Sequence, residues 1–254
     1  EPEYVTISAD NSQAFVTLQE NNAVAVVNLA TNRIDRIIAM GYKNHGLATN
    51  SIAASDKVSA TSPFVLKPYA NLFGIYMPDG IATFSANGTT YFITANEGDD
   101  RDDFLAKDQK ETQRIGHSSM VLSNSAFPAA ADLKKDSELG RLTVISTMGR
   151  NSSGHYEKLY ALGGRSFSIY NASTGVQVYD SGNDLEVLAY SSMPIALLSK
   201  EQVLGRLDNK GPEPESVVVG QVNQKTYAFV ALERSSAIVM YDLTNPATVS
   251  YTHL

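Results

Sequence analysis

Three stretches of this 254-residue chain repeat one pattern, and no single residue constrains the fold as strongly. The first opens Glu1-Pro2-Glu3-Tyr4-Val5-Thr6-Ile7, crosses a polar turn, and resumes as Ala14-Phe15-Val16-Thr17-Leu18-Gln19-Glu20. The second opens Met77-Pro78-Asp79-Gly80-Ile81-Ala82-Thr83-Phe84, turns at Asn87-Gly88, and returns as Tyr91-Phe92-Ile93-Thr94-Ala95-Asn96-Glu97. The third opens Glu213-Pro214-Glu215-Ser216-Val217-Val218-Val219 and returns as Tyr227-Ala228-Phe229-Val230-Ala231-Leu232-Glu233. Each unit is a proline with an acid, a β-branched strand, a turn, an aromatic-rich strand and a closing glutamate. Such units cannot bury both faces alone, so they imply stacked or radial β architecture.

The charge balance narrows the partners. A net charge of −7 with scattered Lys and Arg argues against nucleic acid, whose binders present a basic face. The absence of cysteine removes disulfides and thiolate metal sites. No apolar run reaches the roughly 18–20 residues that span a bilayer. Three Asn-x-Ser/Thr triplets, at Asn87, Asn151 and Asn171, are short enough to arise by chance.

The first unit continues through Ala23-Val24-Ala25-Val26-Val27 and Arg33-Ile34-Asp35-Arg36-Ile37-Ile38, giving four short antiparallel strands, the content of one propeller blade. The pattern predicts an all-β single domain over 1–254, a β-propeller with four-stranded blades at 1–40, 77–149, 158–191 and 212–254. The third blade takes Leu185-Glu186-Val187-Leu188 as its last strand, and the fourth lacks an outer strand. Insertions fall at 41–76, 98–140 and 192–211, the first a long loop and the second with a helix around 129–135.

These residues also carry a family likeness. Glu1-Pro2-Glu3-Tyr4, the run from Val16 to Val26, Thr94-Ala95-Asn96-Glu97-Gly98-Asp99, Gly163-Gly164-Arg165-Ser166-Phe167-Ser168-Ile169, Asp208-Asn209-Lys210-Gly211-Pro212-Glu213-Pro214-Glu215 and Tyr227 through Arg234 resemble the choice-of-anchor I family. Some of its members are labelled alkaline phosphatase-like or mesenchyme-specific cell-surface glycoprotein. The resemblance implies a propeller of about seven blades, of which this chain is a fragment. It also implies an extracellular, cell-surface or periplasmic location. The segment 248–254 departs from the family pattern and reads as a translated sequencing-adapter tail.

Catalytic motifs are missing: there is no Gly-x-Ser-x-Gly, His-Glu-x-x-His or Gly-x-Gly-x-x-Gly, and His45, His117, His155 and His253 stand at no ligand spacing. Carboxylates are the better candidates. In a propeller the first strand of each blade lines the channel, which puts Glu3, Asp79, Glu213 and Glu215 at its entrance and the strand-end acids Glu20, Glu97 and Glu233 near the opposite rim. Such acids either cap turns or hold a cation. The densest run, Glu97, Asp99, Asp100 and Asp102, has the oxygen count for Ca²⁺ but not the EF-hand spacing. Arg165, after two glycines, either clamps an anion or pairs with a blade glutamate. The leading expectation is a binding module for a protein, glycan or phosphoester ligand, with calcium stabilisation. The competing one is a calcium-dependent phosphoesterase.

Overall fold

The computed structural model describes residues 2–57, 64–191 and 203–253. The first half carries β1 (Pro2–Ile7), β2 (Gln13–Leu18), β3 (Ala23–Asn28), β4 (Arg33–Ala39), β5 (Tyr42–Asn44), β6 (Leu72–Ile75), β7 (Ile81–Ala86), β8 (Thr89–Asn96) and β9 (Thr112–Arg114). Then come helix α1 (Ala130–Leu133), β10 (Thr143–Ile145), β11 (Leu159–Leu162), β12 (Ser166–Asn171), β13 (Gln177–Asp180) and helix α2 (Asp184–Ser191). The chain closes with β14 (Pro214–Val222), β15 (Lys225–Leu232), β16 (Ala237–Asp242) and β17 (Ser250–His253).

Among the described residues these strands form four sheets, ordered β1-β2-β3-β4, β5-β6-β11-β10-β9, β13-β12-β8-β7 and β14-β15-β16-β17. Each of the three repeated units is an antiparallel hairpin: β1 with β2, β7 with β8, β14 with β15. The turns explain the registers. Ala86 opposes Thr89 across Asn87 and Gly88, both at positive φ, and Val222 opposes Lys225 across Asn223 and Gln224, also both positive. Two-residue turns of that kind match the right-handed twist of the flanking strands.

The strand grouping departs from the blades read at 77–149 and 158–191. β8 does not pair with β10; it runs antiparallel to β12 from Asn96 opposite Ser166 to Tyr91 opposite Asn171. Six-residue β12 can cover β8, whereas β10 and β11 are only three and four residues long. Those two join β5 and β6 instead, β11 lying parallel to β6. The stretches read as insertions, 41–76 and 98–140, thus supply β5, β6 and β9 to a sheet of their own, and α1 falls within the helix expected at 129–135. A separate core of Ile52, Leu72, Ile115, Phe127, Leu142 and Tyr156, among others, holds it together.

Residues 185–188 form part of α2, not a strand, because Leu185 and Ala189 fall one helical turn apart and are both buried. The last sheet does have an outer strand: β17 pairs with β16, with Tyr251 edge-on to Tyr241 at 6.0 Å. Of the insertion at 192–211, residues 192–202 lie outside the described residues.

The sheets pack through two more cores. One joins Phe84, Ile93, Phe167, Leu185, Val217, Val230 and Tyr241. The other joins Phe15, Val26, Met40, Phe92 and Tyr170, where Phe92 stacks on Tyr170 at 5.0 Å and meets Phe15 at 5.4 Å. Each buried Phe or Ile contributes about 1.5–3 kcal/mol. This packing brings three edge strands side by side, with β7 between β1 and β14. The Thr83 hydroxyl donates to the Ile7 carbonyl at 2.8 Å, and the Gly80 N–H donates to the Glu215 carbonyl at 2.9 Å.

Candidate functional site

A hairpin puts the start of its first strand beside the end of its second. Pro2 opposes Leu18, Ile81 opposes Thr94 and Pro214 opposes Leu232. The proline-linked acids and the closing glutamates therefore share one end of the sheets, not opposite rims, and the adjacency of β1, β7 and β14 gathers them.

Glu97 follows β8 and is buried; its Oε1 accepts from the Lys210 ammonium at 2.7 Å and its Oε2 from the Gln19 amide at 2.8 Å. Burial pushes its carboxyl above the usual range despite the pull of Lys210. The turn after it requires glycine. Gly98 has a φ of +93°, and a Cβ there would overlap the backbone of Gly163. A Cβ at Gly163 would in turn overlap the Glu97 carbonyl oxygen.

Glu213 is fully buried, yet its carboxyl lies below the usual range. Burial alone would raise it, but Arg206 Nε donates at 2.5 Å, Arg234 Nη2 lies 2.9 Å away and Lys210 Nζ 3.7 Å away. Arg234 Nη2 also reaches the partly exposed Glu233 at 3.0 Å. Burial would lower Lys210, but Glu97, Glu213 and Asp99 together hold it above the ordinary lysine value. One carboxylate oxygen from each of Glu97, Glu213 and Glu233 falls within 4.8 Å of the others.

Asp79, two residues before β7, is buried next to them, its N–H donating to the Ala95 carbonyl at 2.9 Å. Burial, then the charges of Glu97, Glu215 and Glu3, pushes its carboxyl up to about 7, with Lys210 opposing. Glu3 is exposed and Glu215 half-buried. Glu20 stands apart. Leu18 is the register equivalent of Leu232, so Gln19, not Glu20, corresponds to Glu233. Glu20 instead acts on Arg101.

The acidic run after Glu97 separates. The Asp99 carboxylate accepts from the Asp100 N–H at 2.9 Å and lies 3.6 Å from Lys210. Asp100 accepts from the Asp102 N–H at 2.9 Å, and burial raises its carboxyl. Asp102 accepts from the Glu111 N–H at 2.7 Å and the Thr112 hydroxyl at 2.6 Å. These side chains shape their own loop.

Arg165 is 1% exposed and spent inside the fold. Its Nη1 donates to the Ala53 carbonyl and to Glu186 of α2, both at 2.9 Å, and its Nη2 to the carbonyls of Leu207 at 2.9 Å and Asn209 at 2.7 Å. Of its two expected roles, the structure shows a glutamate pairing, though with a helix residue. No histidine joins the carboxylate group among the described residues. His45 is buried with Nδ1 2.7 Å from the Asn50 carbonyl, and burial holds its pKa down at about 3.

Sequence reasoning offered Arg234, with Arg101 and Arg165, as compensation for the acids, and it missed Lys210 and Arg206. The signal was weak: two basic residues shortly before the third proline-acid motif. Among the described residues seven carboxylates lie around them, Glu3, Asp79, Glu97, Asp99, Glu213, Glu215 and Glu233, so the described part of this end carries excess negative charge.

A family model described as choice-of-anchor I domain matches residues 1–246. The chain is 31% identical over 126 residues to Gigasin-3a of Magallana gigas, covering 46% of this chain and 44% of that protein. It is 27% identical over 278 residues to a mesenchyme-specific cell surface glycoprotein of Strongylocentrotus purpuratus, covering 96% of this chain and 35% of that protein. The chain thus spans less than half the length of either relative. No helix among the described residues is long and apolar enough to cross a membrane.

Proposed function

Because the chain belongs to the choice-of-anchor I domain family, we propose that it is a binding module displayed at the cell surface or outside the cell, its sheets blades of a β-propeller, recognising a basic partner at the acidic end of β1, β7 and β14. The name of the sea-urchin relative supports the location. The side-by-side placement of three first strands, each followed outward by its own sheet, supports the radial arrangement. The observation that carries the reading is the excess of carboxylates over cations at that end among the described residues: Glu3, Asp79, Glu97, Asp99, Glu213, Glu215 and Glu233 surround Lys210, Arg206 and Arg234. An unbalanced field of this kind steers oppositely charged surfaces.

The test uses immobilised poly-L-lysine as a basic polypeptide probe. The double variant Glu3→Lys with Glu215→Lys should lose salt-sensitive retention, while the remote pair Asp35→Lys with Glu157→Lys, both exposed, should keep most of it. Equal loss in the two variants would mean that only net charge matters.

A second reading has one observation in its favour. Glu97, Glu213 and Glu233 converge to within 4.8 Å beside Lys210 and Arg234, and those oxygens could hold a hard cation such as Ca²⁺ while the basic side chains meet a phosphate. Lys210 would have to swing away from Glu97 to admit it. Calcium-dependent hydrolysis of p-nitrophenyl phosphate that stops with chelator and with Glu97→Gln would establish this reading; its absence from a folded, calcium-loaded sample would remove it.

A further inference from the structure

A cavity of about 350 Å³ lies beside the acidic end, walled by the turn at Gln19–Asn21, by β5, β6 and β10, and by the loop carrying Arg101 and Glu111. Its size falls within the range of small-molecule sites. The lining has three distinct parts. Ile75, Met77, Ile145 and Met148 form an apolar wall. Arg101 and Glu111 form a fixed polar pair, with Arg101 Nε 3.1 Å from Oε1 and Nη2 2.5 Å from Oε2. Tyr42 also lines the cavity and is 50% exposed.

Each part is held in place before any ligand arrives. Tyr42 meets Tyr160 edge-on at 5.0 Å, and Tyr160 stacks on Phe73 at 5.6 Å. Glu111 is 5% exposed, and its N–H donates to Asp102 at 2.7 Å. Asn22, in the left-handed region, joins two walls by donating to the Gly41 carbonyl at 2.8 Å and accepting from the Met77 N–H at 2.9 Å. Preorganisation of this kind lowers the entropic cost of binding.

Chemistry selects the occupant. An anion at Arg101 would face both Glu111 and the charge of Glu20. A cation at either glutamate would face the Arg101 guanidinium. A wholly apolar molecule would strip water from the ion pair and give no hydrogen bond in return. A neutral polyhydroxyl ring meets all three demands: its hydroxyls donate to carboxylate and accept from guanidinium, and its C–H face lies against tyrosine and the thioethers. We infer that this cavity binds one neutral pyranose unit of a saccharide, with Tyr42 as the stacking platform and Arg101 with Glu111 reading adjacent hydroxyls.

This inference rests on the binding-module reading but on different residues from its acidic end. The test is saturation-transfer NMR and calorimetry on the full chain with the methyl glycosides of glucose, galactose, mannose and N-acetylglucosamine. At least one should bind at millimolar concentration with saturation concentrated on one face of the ring. Tyr42→Ala should weaken that glycoside at least about tenfold while still unfolding cooperatively, its melting temperature lowered only by the lost edge contact with Tyr160, whereas Tyr42→Phe keeps the platform and stays within about twofold. Glu3→Lys with Glu215→Lys should leave it unaffected, which separates failure here from failure at the acidic end. Binding to none of the four glycosides, or binding indifferent to Tyr42→Ala, overturns the inference. Preference for acetate or n-butylammonium over every glycoside does the same.

Discussion

Replacing Asp79 by asparagine should stabilise the protein at pH 8 and change little near pH 4. Asp79 is buried next to Glu97, Glu215 and Glu3, and burial together with those charges lifts its carboxyl from 3.8 to about 7 against the pull of Lys210. The unfolded chain titrates the same group near 3.8. Between the two values the native state therefore holds more protons than the unfolded state, so stability falls as pH rises. Below 3.8 both states are protonated and the group contributes nothing; above about 7 both are ionised and the whole cost is present. At about 1.4 kcal/mol per pH unit across that interval, the cost approaches about 4 kcal/mol. Solvent around the exposed Glu3 and half-buried Glu215 screens part of this, leaving about 2–4 kcal/mol for Asp79→Asn to recover. Glu97 and Glu233, also raised by burial, slope the same way in both proteins. Urea midpoints of wild type and Asp79→Asn at pH 4.5 and pH 8, at equal ionic strength, measure the effect. A stability difference that is the same at both pH values, or a variant weaker at pH 8, would refute the electrostatic argument.

Two other substitutions probe the frame that holds the site. Gly163→Ala should cost more than about 2 kcal/mol, because a Cβ at φ +76° would overlap the Glu97 carbonyl oxygen, while Gly154→Ala, at φ +81° in open space, should cost only about 1 kcal/mol. Equal urea midpoints for the two would show that the Gly98 and Gly163 crossing tolerates side chains. Arg165→Met should cost about 3–5 kcal/mol by leaving Glu186 buried without its cation, and adding Glu186→Leu should restore much of that loss. A double variant no more stable than Arg165→Met would mean that the lost bonds to the Ala53, Leu207 and Asn209 carbonyls dominate.

Local pattern was enough to read the three hairpins. Alternating apolar residues, a proline at each entrance and turn residues such as Asn87-Gly88 act over a few positions, so β1 with β2, β7 with β8 and β14 with β15 follow from the sequence alone. The same local reading singled out Glu97, Glu213 and Glu233 within the repeat, but it set Glu213 at the rim opposite to Glu97 and Glu233, whereas the three carboxylates converge. It could not tell that Asp99, Asp100 and Asp102 would turn to their own loop backbone while Glu97 turned to Lys210. Nor could it tell that Leu185 and Ala189 would bury one face of a helix.

Which strand lies against β8, and which cation lies against which carboxylate, are choices among distant partners, and sequence pattern carries no register between segments separated by an excursion as long as 97–165. Packing decides them. β12 is long enough to cover β8, so β10 and β11 are left to join β5 and β6, and β5, β6 and β10 wall the cavity that Tyr42 lines. The repeat determined that acids would recur along the chain; only the tertiary structure, by setting β7 between β1 and β14, decided that they would crowd around Lys210 closely enough to shift one another's protons. Charges interact through space and with the solvent that folding removes, and neither quantity exists until the sheets have packed.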